Sequence, residues 1–172
     1  MGKSYTASVI GMRIWQAVQT VLSANAWVGI GKNGTWGGVD DPPEVNPSTT
    51  ALDGLVALKK AETLTLVVPD VNGTIEHLGQ KWLPVVVSDA RAKQARWVYV
   101  AAWLRYGEVP IVDYRQTGAF LGVTRNGGVD VGKLVLLPSE VADLGYLAAV
   151  NNRSPIPRAE DQKELVEFII EF

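Results

Sequence analysis

The run Arg96-Trp97-Val98-Tyr99-Val100-Ala101-Ala102-Trp103-Leu104-Arg105-Tyr106 decides the fold class. In an extended chain side chains alternate at period two. Trp97, Tyr99, Ala101 and Trp103 then share one face, and Val98, Val100, Ala102, Leu104 and Tyr106 the other. A segment apolar on both faces belongs in the middle of a sheet, where both sides are covered. At the far end, Glu164 to Phe172 sets Val166, Phe168, Ile170 and Phe172 against Glu167 and Glu171, the pattern of a strand with one wet face, broken only by Ile169. Upstream, Glu62 to Pro69 alternates Leu64, Leu66 and Val68. The turn cluster Asp70, Asn72 and Gly73 follows, leading into Thr74 to Leu78, which is expected to pair back on that strand. Lys81 to Val87, Ile111 to Thr124, Leu134 to Leu137 and Tyr146 to Val150 add further extended stretches.

Helical signals are few. Between Val9 and Leu22 the residues Ile10, Ile14, Trp15, Val18, Val21 and Leu22 recur at three- and four-residue steps, which puts them on one stripe of a helix. Asn25 stops that run, and Ala26 to Lys32 reads as a short strand carrying Trp27, Val28 and Ile30. A helical turn is expected after Ser48 or Thr49, through Leu52, Leu55 and Val56. Another is expected at Pro138 to Glu140, and Ser88 to Ala95 is a small polar segment of helical character. Strands at this spacing, with turns between them and almost no crossover helices, predict a mainly β fold, an antiparallel β-sandwich with an N-terminal amphipathic helix and one or two short helical turns. The expected organisation is a single domain over 1–172, with the helix in 1–24, the sandwich in 25–172 and a long Gly/Pro loop at 33–47.

Composition narrows the function classes. The chain has 172 residues, 47% of them hydrophobic, and a formal net charge of −2, so it is long enough to bury a core without disulfides or metal. Near-balanced charge argues against a dedicated nucleic-acid binder, and no apolar run reaches the ~18 residues a membrane span needs. With no cysteine and one histidine, His77, thiolate zinc sites and cysteine nucleophiles are excluded. Gly29-Ile30-Gly31-Lys32-Asn33-Gly34 has the spacing of a dinucleotide-binding loop. It is followed by Trp36, glycines and a double proline, however, and no helix start is left to meet a pyrophosphate. Gly127 to Lys133 imitates a phosphate loop, but Leu134 stands where a hydroxyl would hold magnesium. Asp70 to Glu76 resembles part of a calcium loop with its first and last ligands missing, which leaves a plain turn. Carboxylates such as Asp40 and Asp41, or Glu108 and Asp113, read as solvated loop charges before they read as a glycosidase pair. Of the six tryptophans, Trp15, Trp97 and Trp103 occupy periodic positions that predict core, while Trp27, Trp36 and Trp82 are open between core and surface.

Two segments, taken together, resemble a family. Trp27-Val28-Gly29-Ile30-Gly31-Lys32, then Trp36, then Asp40-Asp41-Pro42-Pro43, is similar to the amino-terminal signature of tailed-phage baseplate wedge proteins, in which a strand ending in a glycine pair leads to a Trp and an acidic residue before prolines. Asn152-Arg153-Ser154-Pro155-Ile156, followed by Asp161-Gln162-Lys163-Glu164 and the closing Phe168 to Phe172, is similar to their carboxy-terminal end. Arg105-Tyr106 to Arg115-Gln116 fits more loosely. The resemblance runs from about Trp27 to Phe172, leaves the first helix outside, and marks a compact member. It implies a non-enzymatic structural subunit of a virion, made in the bacterial host cytoplasm, in the tail and baseplate or at the neck, collar or a fibre-attachment point. No cofactor or metal is implied. The implied partners are other phage structural proteins and further copies of the chain in a homo-oligomer, with no membrane and no nucleic acid. The alternative is a carbohydrate- or peptide-binding β-sandwich module.

The residues this reading singles out for interface or structural duty are Ile14, Trp15, Val18 and Leu22 on the helix; Trp27, Gly29, Gly31, Trp36, Asp40, Pro42 and Pro43 in the first signature; and Arg153, Pro155 and Gln162 in the second. Prolines restrict the free chain, so the loop from Gly31 to Pro47 and the end around Arg153 to Arg158 would dock at low entropic cost. The simpler use of the same residues is to close one end of the sheet, with Arg153 and Gln162 satisfying backbone carbonyls near the last strand.

Overall fold

A computed structural model of the chain describes residues 3–38, 41–157, 159 and 161–172. Among the described residues one α-helix, α1 (Ile10–Ser23), precedes twelve strands: β1 (Ala26–Gly31), β2 (Ala57–Lys60), β3 (Thr63–Pro69), β4 (Ile75–His77), β5 (Gln80–Val85), β6 (Trp97–Leu104), β7 (Tyr114–Leu121), β8 (Thr124–Arg125), β9 (Val135–Leu136), β10 (Val141–Asp143), β11 (Tyr146–Ile156) and β12 (Glu164–Glu171). The fold is mainly β with antiparallel sheets, as the alternation predicts. One sheet has the order β11-β7-β1-β2-β9, a second is the pair β10-β8, and a third runs β12-β6-β3-β5-β4. The stretch Arg96 to Tyr106 supplies β6, flanked on both sides by other strands, with Val98, Val100, Ala102 and Leu104 sealed from solvent. β12 keeps the predicted alternation: Val166, Phe168 and Ile170 are buried and the residues between them are not.

The chain forms two compact units. One contains α1, Thr65–Tyr99 and Ile169–Phe172; the other comprises Ala24–Leu64 and Val100–Phe168, and β3, β6 and β12 contribute residues to both. In the first unit the buried side chains include Ile14, Leu66, Val67, Val98 and Ile170. In the second, Trp27, Leu52, Leu58, Phe120, Val123 and Leu136 form one apolar cluster around β1, β2 and β7. β1 is buried along its whole length. There Gly29 faces the ring of Phe120 so closely that a β-carbon would lie 2.6 Å from Cε2, and its absence lets that ring, from the neighbouring strand β7, pack over the backbone of β1. No helix of the structure is long and apolar enough to cross a membrane.

Several local expectations are corrected. Thr74 to Leu78 does not pair with β3. Leu78 and Gly79 both adopt positive φ (49° and 76°), making a two-residue turn that folds β4 onto the strand after it, with His77 opposite Gln80 and Ile75 opposite Trp82. β5 therefore lies between β3 and β4. The expected helical turn through Leu52 and Val56 is absent, and Ala57–Lys60 is a strand instead. Its closing lysine pair hid it, because charge argues against burial. Ser88 to Ala95 yields only a 3₁₀ turn at Val87–Asp89, and β11 extends well beyond Val150. Trp15, predicted to be core, is 58% exposed. Its turn of α1 is buried through Ile14 and Ala17, so the apolar stripe is wider than the face the unit covers.

Candidate assembly surface

The segment following β1 leaves the sheet under tight control. Lys32 takes a left-handed conformation (φ 59°), its N–H donates to the Asp53 carbonyl at 2.6 Å, and its own carbonyl accepts from the Arg115 N–H at 3.0 Å. Its ammonium pairs with Asp53 Oδ2 at 2.5 Å and lies 5.3 Å from the centre of the Trp36 ring. Trp36 is half-buried and donates its indole N–H to the Arg153 carbonyl on β11 at 3.2 Å. From Asp53 a second relay crosses the sheet. The Asp53 N–H donates to Gln116 Oε1 (2.8 Å), Gln116 Nε2 to Asn152 Oδ1 (2.9 Å), and Asn152 Nδ2 to the Pro43 carbonyl (3.0 Å). Gln116 is 6% exposed, and both the oxygen and the nitrogen of its amide are engaged in this chain of bonds, as buried polar groups generally are.

Behind Arg153 the closing strand supplies the counter-charge. Arg153 donates to Glu164 Oε1 at 2.8 Å, the Tyr114 hydroxyl donates to the other oxygen of Glu164, and the Arg153 guanidinium lies 5.7 Å from the Tyr114 ring centre. Segments far apart in sequence thereby converge: Trp36 and Pro43 from the Gly/Pro loop, Gln116 from β7, Asn152 and Arg153 from β11, and Glu164 from β12. The loop runs beside β11, which is the terminal strand of its sheet. Farther along, Val45, Asn46, Pro47 and Thr49 face Leu147 to Val150 across a hollow of about 170 Å³. Residues 41–48 are exposed throughout and carry Asp41 and Glu44. The result is a proline-stiffened arm fixed at two points and wet along its outer side.

The other singled-out residues fall in different places. Gly29 and Gly31 are buried in β1, and Trp27 is core, its ring flanked by Lys60 and Arg125 at 5.1 and 5.2 Å from its centre. Pro42 is exposed on the arm and Pro155 half-buried in β11. Gln162 is exposed, with its N–H on the Ala159 carbonyl. Asp40 and Arg158 lie outside the described residues. Ile14 and Val18 line a groove of α1, and Trp15 and Leu22 are exposed beside it. Trp97 and Trp103, predicted as core, are half-buried under Arg96 and Lys163 respectively, and Trp82 packs on Trp97 with ring centres 5.9 Å apart. Trp15 is thus the one exposed tryptophan of the six.

A four-charge network joins Lys59 of β2 to the segments that follow β2 and β6, and no expectation from the sequence covers it. Lys59, 1% exposed, pairs with Glu108 Oε2 at 2.7 Å and Glu62 Oε1 at 3.8 Å, while Arg105 holds Glu62 through two bonds of 2.5 and 2.9 Å. Burial pushes the Glu108 carboxyl up, but the bonds from Lys59 and the Arg105 N–H, with both cations nearby, outweigh it and hold the group below the usual carboxylate range. Glu108 is therefore an ion-pair partner of a buried lysine. The sequence held one weak signal for it, a lysine inside a run otherwise fit to be a strand.

The comparisons with known proteins bear out the family resemblance. Virion protein 3 of Enterococcus phage phiEF24C is 29% identical over 150 residues, covering 84% of this chain and 82% of that protein, so the two are of similar length. The family model described as Baseplate wedge 3 tail fiber network component matches residues 5–172. That span takes in α1, which the resemblance had left outside. The chain belongs to the Baseplate wedge 3 tail fiber network component family and, with it, to the structural proteins of the phage virion.

Proposed function

We propose that the chain is a non-enzymatic subunit of the baseplate region where wedge and tail-fibre network meet, and that it works by protein–protein contact with other virion proteins and with further copies of itself. The observation that carries this reading is the arm at 41–48: exposed along its length, acidic through Asp41 and Glu44, and held at its base by the Trp36–Arg153 and Asn152–Pro43 bonds. An arm whose conformation is already fixed loses little entropy on docking, and its chemistry suits a basic surface on a neighbour. The polar clusters serve the fold: Glu108 answers Lys59, and Glu164 answers Arg153 and Tyr114.

The test is made in the particle. Phage carrying a tagged copy of the chain are purified and probed for it, beside phage in which 41–48 is replaced by a flexible Gly/Ser linker of equal length. The tagged chain is expected in intact virions, and the linker variant is expected to be depleted from them while remaining folded in the lysate. Absence of the unaltered chain from purified virions overturns the function, and full incorporation of the linker variant overturns the role of the arm.

A further inference from the structure

We infer that α1 carries a second, outward-facing seam on which two copies of this chain pair antiparallel about a two-fold axis. This deepens the self-association part of the proposed function and rests on it, but it is independent of the arm. The helix bears two apolar rows of the same 4-3-4 spacing. Ile10, Ile14, Ala17 and Val21 face inward, with Ile14 at 7% and Ala17 at 0% exposure. Gly11, Trp15, Val18 and Leu22 form the neighbouring row, and there Trp15 and Leu22 are 58% and 60% exposed. One row is spent on the chain's own unit and the other is not. Spacing of this kind is what a helix needs to meet another helix along a narrow seam.

The outward row is complementary to itself. Gly11 has open space where a side chain would stand, and beside it a groove of about 550 Å³ runs between α1 and the segment holding Val87, Ala90 and Arg91. In an antiparallel pair centred between Trp15 and Val18, Gly11 faces Leu22 of the second copy and Trp15 faces its Val18, so each exposed knob meets a notch. A two-fold contact requires this reciprocity, since each pairing occurs twice. Charge permits it too. α1 carries a single charged residue, Arg13, which the helical periodicity places on the far side from this row, so the row itself bears no charge, and Arg91 is the one charged residue lining the groove beside it. The exposed parts of Trp15, Leu22 and Val87 offer apolar surface on the order of 300 Å². A standard interface takes roughly 800 Å² from each partner, about two-thirds of it apolar in homodimers. The patch thus supplies about half of the apolar surface one such interface takes from each partner.

The test uses the full chain. Sedimentation velocity from about 1 to 200 µM, a range that covers ordinary homodimer affinities, is expected to show a shift to twice the chain mass. Trp15→Lys, at an exposed position, and Gly11→Gln, which fills the notch while favouring helix, are each expected to weaken pairing at least tenfold without loss of the folded circular-dichroism spectrum. The chain has no cysteine, so Gly11→Cys and Leu22→Cys chains can be mixed and oxidised. Disulfides are expected between the two variants and not within either alone. A folded wild-type chain that stays monomeric throughout, a dimer indifferent to Trp15→Lys, or cross-links of Leu22→Cys to itself would each overturn the seam. Monomeric behaviour together with normal incorporation into virions would overturn the seam and leave the virion role standing.

Discussion

Lys59 Nζ sits 2.7 Å from Glu108 Oε2 with its side chain 1% exposed, whereas Glu108 keeps 31% of its side chain in contact with solvent. The pair is lopsided: the cation has nowhere to go, and the carboxylate does. Removing one partner therefore costs different amounts depending on which is removed. Glu108→Gln leaves an ammonium in the interior with only Glu62 at 3.8 Å, and is expected to destabilise by about 3 kcal/mol. Lys59→Met leaves carboxylates that water can still reach and is expected to cost about 1–2 kcal/mol. Urea denaturation of both single variants and the double variant checks this. A Lys59→Met penalty larger than that of Glu108→Gln would contradict the asymmetry.

The same carboxylate sets part of the acid limb. Its pKa in the folded chain lies below the unfolded value of about 4.3. The unfolded state therefore binds its proton first as pH falls. The stabilisation is complete above the unfolded value and disappears as pH drops through the folded one. Glu108→Gln is expected to flatten the loss of stability below about pH 4.3, relative to its own value at neutrality. Unchanged steepness in a pH series of denaturation curves would show that Glu108 does not contribute there.

Glycine positions divide by what surrounds them. A β-carbon at Gly145 would lie 2.1 Å from the Leu121 carbonyl oxygen, at a φ of 64°. Gly145→Ala is expected to cost more than about 3 kcal/mol, since neither the backbone contact nor the conformation can relax cheaply. At Gly29 the obstacle is the Phe120 ring, and Gly29→Ala is expected to cost about 1–3 kcal/mol by overpacking. Thermal unfolding of the two variants should rank them in that order.

Loosening the arm should be a local event. Trp36→Phe removes the bond to the Arg153 carbonyl, and Asn152→Asp removes the donor to the Pro43 carbonyl while keeping an acceptor for the amide of buried Gln116. Each is expected to lower global stability by less than about 1 kcal/mol while speeding proteolysis within 41–48 several-fold. Equal cleavage rates in wild type and the double variant would mean the arm is held by something else.

How much was legible depended on whether the signal was local. Periodicity marked α1, β3, β6 and β12 because each repeats a pattern over a turn or more. The pairing of β4 did not follow, since a non-glycine residue, Leu78, occupies a left-handed turn position. β2 was missed because Lys59 and Lys60 look like surface residues until Glu108 and the Ala24 carbonyl are brought to them from other parts of the chain. Trp36, Pro43 and Arg153 could be picked out as residues of note, but their meeting through Gln116 and Asn152 is long-range and leaves no mark on any one segment. Trp15 failed as a core residue for the opposite reason. Periodicity reports how wide an apolar stripe is, not how much of it the chain's own unit covers.

The proline arm beside β11 also bears on self-association. A terminal strand invites pairing with the same strand of another copy, a reaction whose rate rises with the number of free chains. The arm competes from within the same molecule, at a local concentration on the order of millimolar that does not change with expression. A chain whose arm is deleted is therefore expected to associate strand on strand at concentrations where the intact chain does not.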